Sequence, residues 1–232
     1  MTITSDLRVS DVATETPATI KIFQEHGIDF CCGGKRPIAE ACAERGVDVN
    51  LLLARLQTAA ADPGSERNWQ GAPLRDLVAH IQQRFHEPLR QELPRLAAMM
   101  AKVVGRHGDQ LSETLQPLQA TLTELQDELL QHMGEEDRVL FPAIIATEAG
   151  PAATGAHLGQ PIAVMEAEHD HAGQALAKMR ELTWGYTPPE WACPTFRGLY
   201  YGLAELEREM HLHVHLENNI LFPRAASMAA AG

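Results

Sequence analysis

At 232 residues with 45% hydrophobic content, the chain is long enough to bury a sizeable core, as one large domain or as a small one and a medium one. Nineteen Lys and Arg against 31 Asp and Glu leave a net charge of -12 with no basic stripe, which excludes nucleic acid and anionic membranes as natural partners. No apolar run approaches the roughly 18 residues a membrane helix needs, and MTITSDLRVSDV at the N-terminus carries no targeting pattern, so a cytoplasmic, thiol-reducing location is expected.

An aromatic content of 5%, with many Ala, Leu, Glu and Gln, predicts an all-α fold. PATIKIFQEHG reads as a short helix with Pro17 near its first turn and Gly27 as its stop. RPIAEACAERG and DVNLLLARLQ read as two more, making a small three-helix domain over residues 1–58 that needs docking or dimerisation to be stable. Between the first two lies GIDFCCGGKR, with Cys31 beside Cys32. A disulfide between neighbours closes a strained ring, so a free dithiol is expected, with backbone amides, Lys35 and Arg36 favouring thiolate. Cys42 reads as packing. Residues 59–73, with two prolines, two glycines and no apolar period, predict a linker to a second domain over 74–232.

Four longer helical stretches follow, at about 74–104, 112–146, 160–183 and 195–226, separated by Gly and Pro punctuation; they predict a four-helix bundle. In the fourth, Leu199, Leu203, Leu206, Met210, His213, Glu217 and Ile220 form one stripe at helical spacing. In the second, Leu118, Leu122, Leu125, Leu129, His132, Glu136 and Val139 repeat it. The third turns His169 inward with Ile162, Met165 and Ala172, and the first turns His86 inward with Leu89, Leu93 and Leu96. Buried imidazoles and carboxylates cost several kcal/mol each without compensation, and a metal supplies it. A His and a Glu four residues apart sit about 6 Å apart along one helix face, which suits two neighbouring ions bridged by a carboxylate and capped by imidazoles.

The two copies, HMGEEDRVLFP and HVHLENNILFP, are near-repeats, each with a Glu four residues before its first histidine, Glu128 and Glu209. Their Phe-Pro pairs read as structural. By phase, His171, His211 and His215 face outward, and His26, His107 and His157 read as surface. Height along an antiparallel pair selects His86 over His80. Pro88, two residues past His86, predicts a kink that leaves this the least secure of the six inward residues.

IDFCCGG and the later Ala-Cys pair, followed by RFHEPLRQELPRL, EHDHAG and both HxxxE repeats in order, resemble the di-iron iron-sulfur cluster repair proteins, the repair-of-iron-centres family. The resemblance covers nearly the whole chain and implies an ScdA-type N-terminal domain followed by a hemerythrin-like bundle. It implies two non-haem iron ions per chain with His86, His132, His169 and His213 as terminal ligands and Glu136 and Glu217 as bridges. An oxo or hydroxo bridge and open positions are expected with this donor set. Glu128 and Glu168 carry over as further carboxylates that orient imidazoles or deliver protons. The implied role is repair of clusters damaged by nitric oxide or oxidants by supplying iron, with damaged iron-sulfur proteins as partners, nitric oxide or dioxygen as small ligands, and a homodimer as the assembly. The same ligands suit reduction of nitric oxide at the iron pair, or an oxygen or redox sensor. Cys31 and Cys32 would relay electrons, receive departing iron or contact a client.

Overall fold

The computed structural model describes residues 2–61, 67–148 and 158–230; His157 and part of the predicted linker lie outside them. Every regular element among the described residues is helical. The N-terminal part holds α1 (Val9–Glu15), a single 3-10 turn (Pro17–Thr19), α2 (Ile20–Glu25), α3 (Ile38–Arg45) and α4 (Val49–Ala61). The seven-residue α1, too short to show an apolar period, precedes the three helices read from the sequence. Gly27 and Gly46 end α2 and α3 with φ of 63° and 65°, a conformation only glycine adopts freely. The last turn of α4 takes Ala59–Ala61 from the predicted linker, as three strong helix formers would.

Three of the four long rods are interrupted by a single π turn. The first rod is α5 (Leu74–Ile81), a π turn (Gln82–His86) and α6 (Glu87–His107). The second is α7 (Ser112–Glu135), a π turn (Glu136–Leu140) and α8 (Phe141–Glu148). The third is α9 (Gly159–Leu182), and the fourth is α10 (Pro194–Leu216), a π turn (Glu217–Leu221) and α11 (Phe222–Ala230). In each interrupted rod a proline, Pro88, Pro142 or Pro223, stands second after the turn. A proline lacks the N–H and crowds the carbonyl four residues back; here that carbonyl lies inside the wide turn, which relieves both problems. Pro94 lies within α6 without such a turn, so proline alone is not sufficient.

The extra residue shifts the phase downstream. Val139, expected inward, is 66% exposed, and Leu140 takes its place at 3%. Phe141 and Phe222 are buried, as filling residues should be.

By contacts the chain falls into two compact units, one of Met1–Val78, Ile145–Ala156 and His211–Gly232, the other of Ala79–Ile144 and His157–Met210. The first is built on a cluster including Val9, Val12, Phe23, Phe30, Ile38, Leu52 and Leu56. Within it the Glu148 carboxylate caps α5, accepting the Leu74 and Arg75 amides at 2.6 and 3.1 Å. The second is built on the leucine stripes of α6, α7 and α10 with Leu176 and Met179 of α9. Among the described residues no helix is long and apolar enough to cross a membrane.

Candidate metal centre

In the second unit, His86, His132, His169 and Glu136 are buried, none more than 4% exposed. The Glu136 Oε2 lies 3.4 Å from His86 Nε2 and 3.3 Å from His132 Nε2. Behind the rings, His86 Nδ1–H donates to Asp137 Oδ1 at 2.9 Å and His132 Nδ1–H to Glu168 Oε2 at 2.6 Å. Those bonds place a proton on each Nδ1 and turn each Nε2 toward the Glu136 carboxylate. The Nε2 of His169 also approaches to within 3.0 Å of that of His132. A buried carboxylate facing two imidazole Nε2 atoms needs a compensating positive charge, and with neutral imidazoles a metal ion supplies it, so the donor set fits a metal. Imidazoles with carboxylates suit first-row divalent metals, iron included.

In the first unit, His213 Nε2 and Glu217 Oε1 lie 3.0 Å apart, both residues wholly buried. Within the second unit the ligand atoms of His132, Glu136 and His169 lie within 4.8 Å of one another. Glu136 and Glu217 each open a π turn. All six residues that the sequence turned inward are buried, His86, Glu136, His213 and Glu217 wholly so.

The outer carboxylates differ from expectation. Glu128 is exposed. Side chains on a helix lean toward its N-terminus, so a Glu four residues before a His reaches away from it, whereas Glu136 and Glu217, four residues after, reach back. Glu168 does meet His132, as expected of an orienting group, and remains 37% exposed. The residue that sequence reasoning missed is Asp137. Besides His86, it accepts Gln82 Nε2 at 2.8 Å and Arg90 at 2.5 Å. Burial alone would raise its carboxyl; the bonds from His86, Gln82 and Arg90 outweigh that and hold it far below the usual carboxylate range. His86 is also stacked on Phe141, centroids 5.5 Å apart and rings 18° from parallel. The expectation that Pro88 loosens His86 is therefore overturned: the proline follows a π turn that already accommodates it, and the ring is wholly buried.

The cysteine loop belongs to the first unit. All four cysteines are free thiols. The expected thiolate is not found at Cys31, whose thiol is pushed well above its ordinary value by a hydrogen bond with Cys32, by burial and by Asp29. Arg36 is turned to Glu44, and Asp29 faces the sulfur instead, accepting the Cys31 amide at 2.8 Å and its Sγ–H at 3.2 Å. Gly34 is required because an added Cβ would stand 2.7 Å from the Phe30 carbonyl oxygen. That carbonyl accepts from His215 Nδ1 and from Asn219 Nδ2, both at 3.3 Å, and Asn219 also donates to the Cys31 carbonyl at 3.3 Å. His215, expected outward, is thus buried at 1% exposure against Phe30. His107, expected at the surface, is half-buried between Trp191 and Phe196.

Residues 5–60 match the family model of ScdA_N, a domain of unknown function (DUF542), and residues 77–225 match that of the hemerythrin HHE cation-binding domain. The chain is 45% identical over 217 residues to the iron-sulfur cluster repair protein YtfE of Musicola paradisiaca, covering 94% of this chain and 95% of that protein. It is 42% identical over 220 residues to the protein of the same name from Pectobacterium carotovorum, covering 95% and 96%.

Proposed function

Because the chain belongs to the family of iron-sulfur cluster repair proteins that join a DUF542 domain to a hemerythrin HHE domain, we propose that it is a di-iron protein that repairs iron-sulfur clusters damaged by nitric oxide or oxidants. It does so by supplying iron. In this reading His86, His132, His169 and His213 would hold two iron ions as terminal ligands, Glu136 and Glu217 would be the carboxylates they share, and an oxo or hydroxo group would complete the set. Bound there, iron supplies redox chemistry and open positions for nitric oxide or dioxygen. The chain's own residues hold it in a dry pocket, fix the imidazole tautomers through Asp137 and Glu168, and neutralise part of its charge. The observation that carries the reading is the buried Glu136 carboxylate facing two imidazole Nε2 atoms whose Nδ1–H groups are already held by Asp137 and Glu168.

Residues 1–58 and 74–232 are the two domains we assign, working as a homodimer in the cytoplasm on damaged iron-sulfur proteins. Cys31 and Cys32 serve as the contact for client or departing iron, not as resident ligands, since a protonated, buried Cys31 thiol is a poor one. The test is anaerobic loading with labelled ferrous iron, followed by mixing with a cluster-damaged dehydratase. Label recovered in a reactivated client supports supply; reactivation with no label transferred refutes it. The double variant His213→Ala, Glu217→Ala should load poorly and transfer nothing.

A further inference from the structure

The two imidazoles that face Glu136 are held very unequally. His86 is fixed by a clamp: Asp137 Oδ1 accepts its Nδ1–H, Gln82 donates to the same oxygen, and Arg90 donates to Oδ2 and reaches the Met133 carbonyl at 3.4 Å. The clamp ties the π turn before α6 to the π turn after α7, and Phe141 covers the ring face. The Asp137 side chain is 20% exposed. At His132 the Nδ1–H is taken by Glu168, which among the described residues meets no other partner and is 37% exposed. The ring edge of His169 also meets it, at 4.7 Å between centroids.

The His132 contact is the shorter, 2.6 Å against 2.9 Å, but length does not decide the hold. A glutamate has one more rotor than an aspartate to immobilise, and a single bond near solvent is easily replaced by water. A charge-assisted bond to Arg90 and a third donor keep Asp137 in place whatever occupies the centre. Outer partners of this kind typically set metal affinity by about 10–100-fold.

We propose that Asp137, with Arg90 and Gln82, is a positioning residue that makes the His86 side of the centre the retained side, and that the His132–His169 side is the one that yields its cation. This inference rests on the two-ion reading above. It gives iron supply an order: one ion leaves while the other keeps the buried carboxylates and the bundle satisfied.

The experiment uses the full chain loaded anaerobically with ferrous iron and mixed with an excess of a ferrous chelator. Wild type should release iron in two equal phases at least about tenfold apart. His169→Ala should keep only the slow phase. Asp137→Asn should speed the slow phase about 10–100-fold and leave the fast one alone, while Asp137→Glu recovers part of the difference. In the cobalt-substituted protein, the hyperfine-shifted Nδ1–H proton of His86 should exchange with water more slowly than that of His132, and Asp137→Asn should abolish the gap; a residue that merely supports the fold would not do this. Release in which Asp137→Asn acts on the fast phase, on both equally or on neither overturns the inference. Loading of one ion per chain overturns the two-ion reading and the inference with it, whereas two ions lost in the wrong order overturn the inference alone.

Discussion

Replacing His215 with asparagine tests how the cysteine loop is held. The ring is 1% exposed, donates to the Phe30 carbonyl and meets the Phe30 ring at 5.4 Å, and His211 meets the same phenylalanine edge-on at 6.2 Å. Burial pushes its pKa from 6.5 down to about 4, against a smaller opposing effect of the bond to Phe30. Between those values the unfolded chain carries a proton that the folded chain does not, so stability falls as pH drops through the window. From about pH 7.5 to about pH 5 the loss through this one group is about 2 kcal/mol, with no reduction for solvent screening at such burial. The assay is urea unfolding of the metal-free full chain across that range. Trp69 fluorescence reports, with Trp184 and Trp191 changed to Phe, leaving one tryptophan of the three. The wild type should lose about 2 kcal/mol more than His215→Asn on acidification. Parallel stability curves, or a steeper fall in the variant, refute the burial argument.

Three further outcomes are expected. Val139→Lys should change stability by less than about 0.5 kcal/mol while Leu140→Lys prevents cooperative unfolding, a contrast that thermal melts would show and that a regular helix through this stretch would reverse. At about pH 8, iodoacetamide should modify Cys32 ahead of Cys31, and Asp29→Asn should accelerate Cys31; peptide mass mapping that finds Cys31 faster in the wild type contradicts the protonated thiol. Removing iron from the loaded chain should lower the melting temperature by about 5–10 °C, the shift for a ligand about 100-fold above its dissociation constant. An unchanged melt on chelation would mean that the buried glutamates need no cation.

The bundle and its six inward residues were legible because a polar residue on an apolar stripe stands out at a period of 3.6. What failed was the assumption that one period runs the length of each helix. Val139 and Pro88 were misread for that reason: both lie at or just past a π turn. Asp137 and Glu168 share another lesson. Each is next in sequence to an inward residue, Glu136 or His169, so its phase sends it about 100° away, toward the imidazole of a neighbouring rod. Glu128, which the resemblance paired with Glu168, is exposed and leans along its own helix toward the N-terminus. His215 was invisible for a different reason, since its partner Phe30 lies 185 residues earlier in the chain.

The three π turns also mean that each interrupted rod has two addresses. A residue inserted at the turn rotates everything after it by about 100°, so the pattern beyond can be written without reference to the pattern before. The fourth rod uses this freedom: its upstream stripe ends in His213 and Glu217, while α11 buries Phe222 and Ala225 and extends Arg224 to the carbonyls of Trp69 and Ala72 at 2.8 and 2.6 Å. A substitution that clears the proline and closes the turn to a regular helix would therefore misdirect two patterns at once. Sequence change in this protein should be far better tolerated within either half of a rod than by deletion or insertion of one residue across the turn.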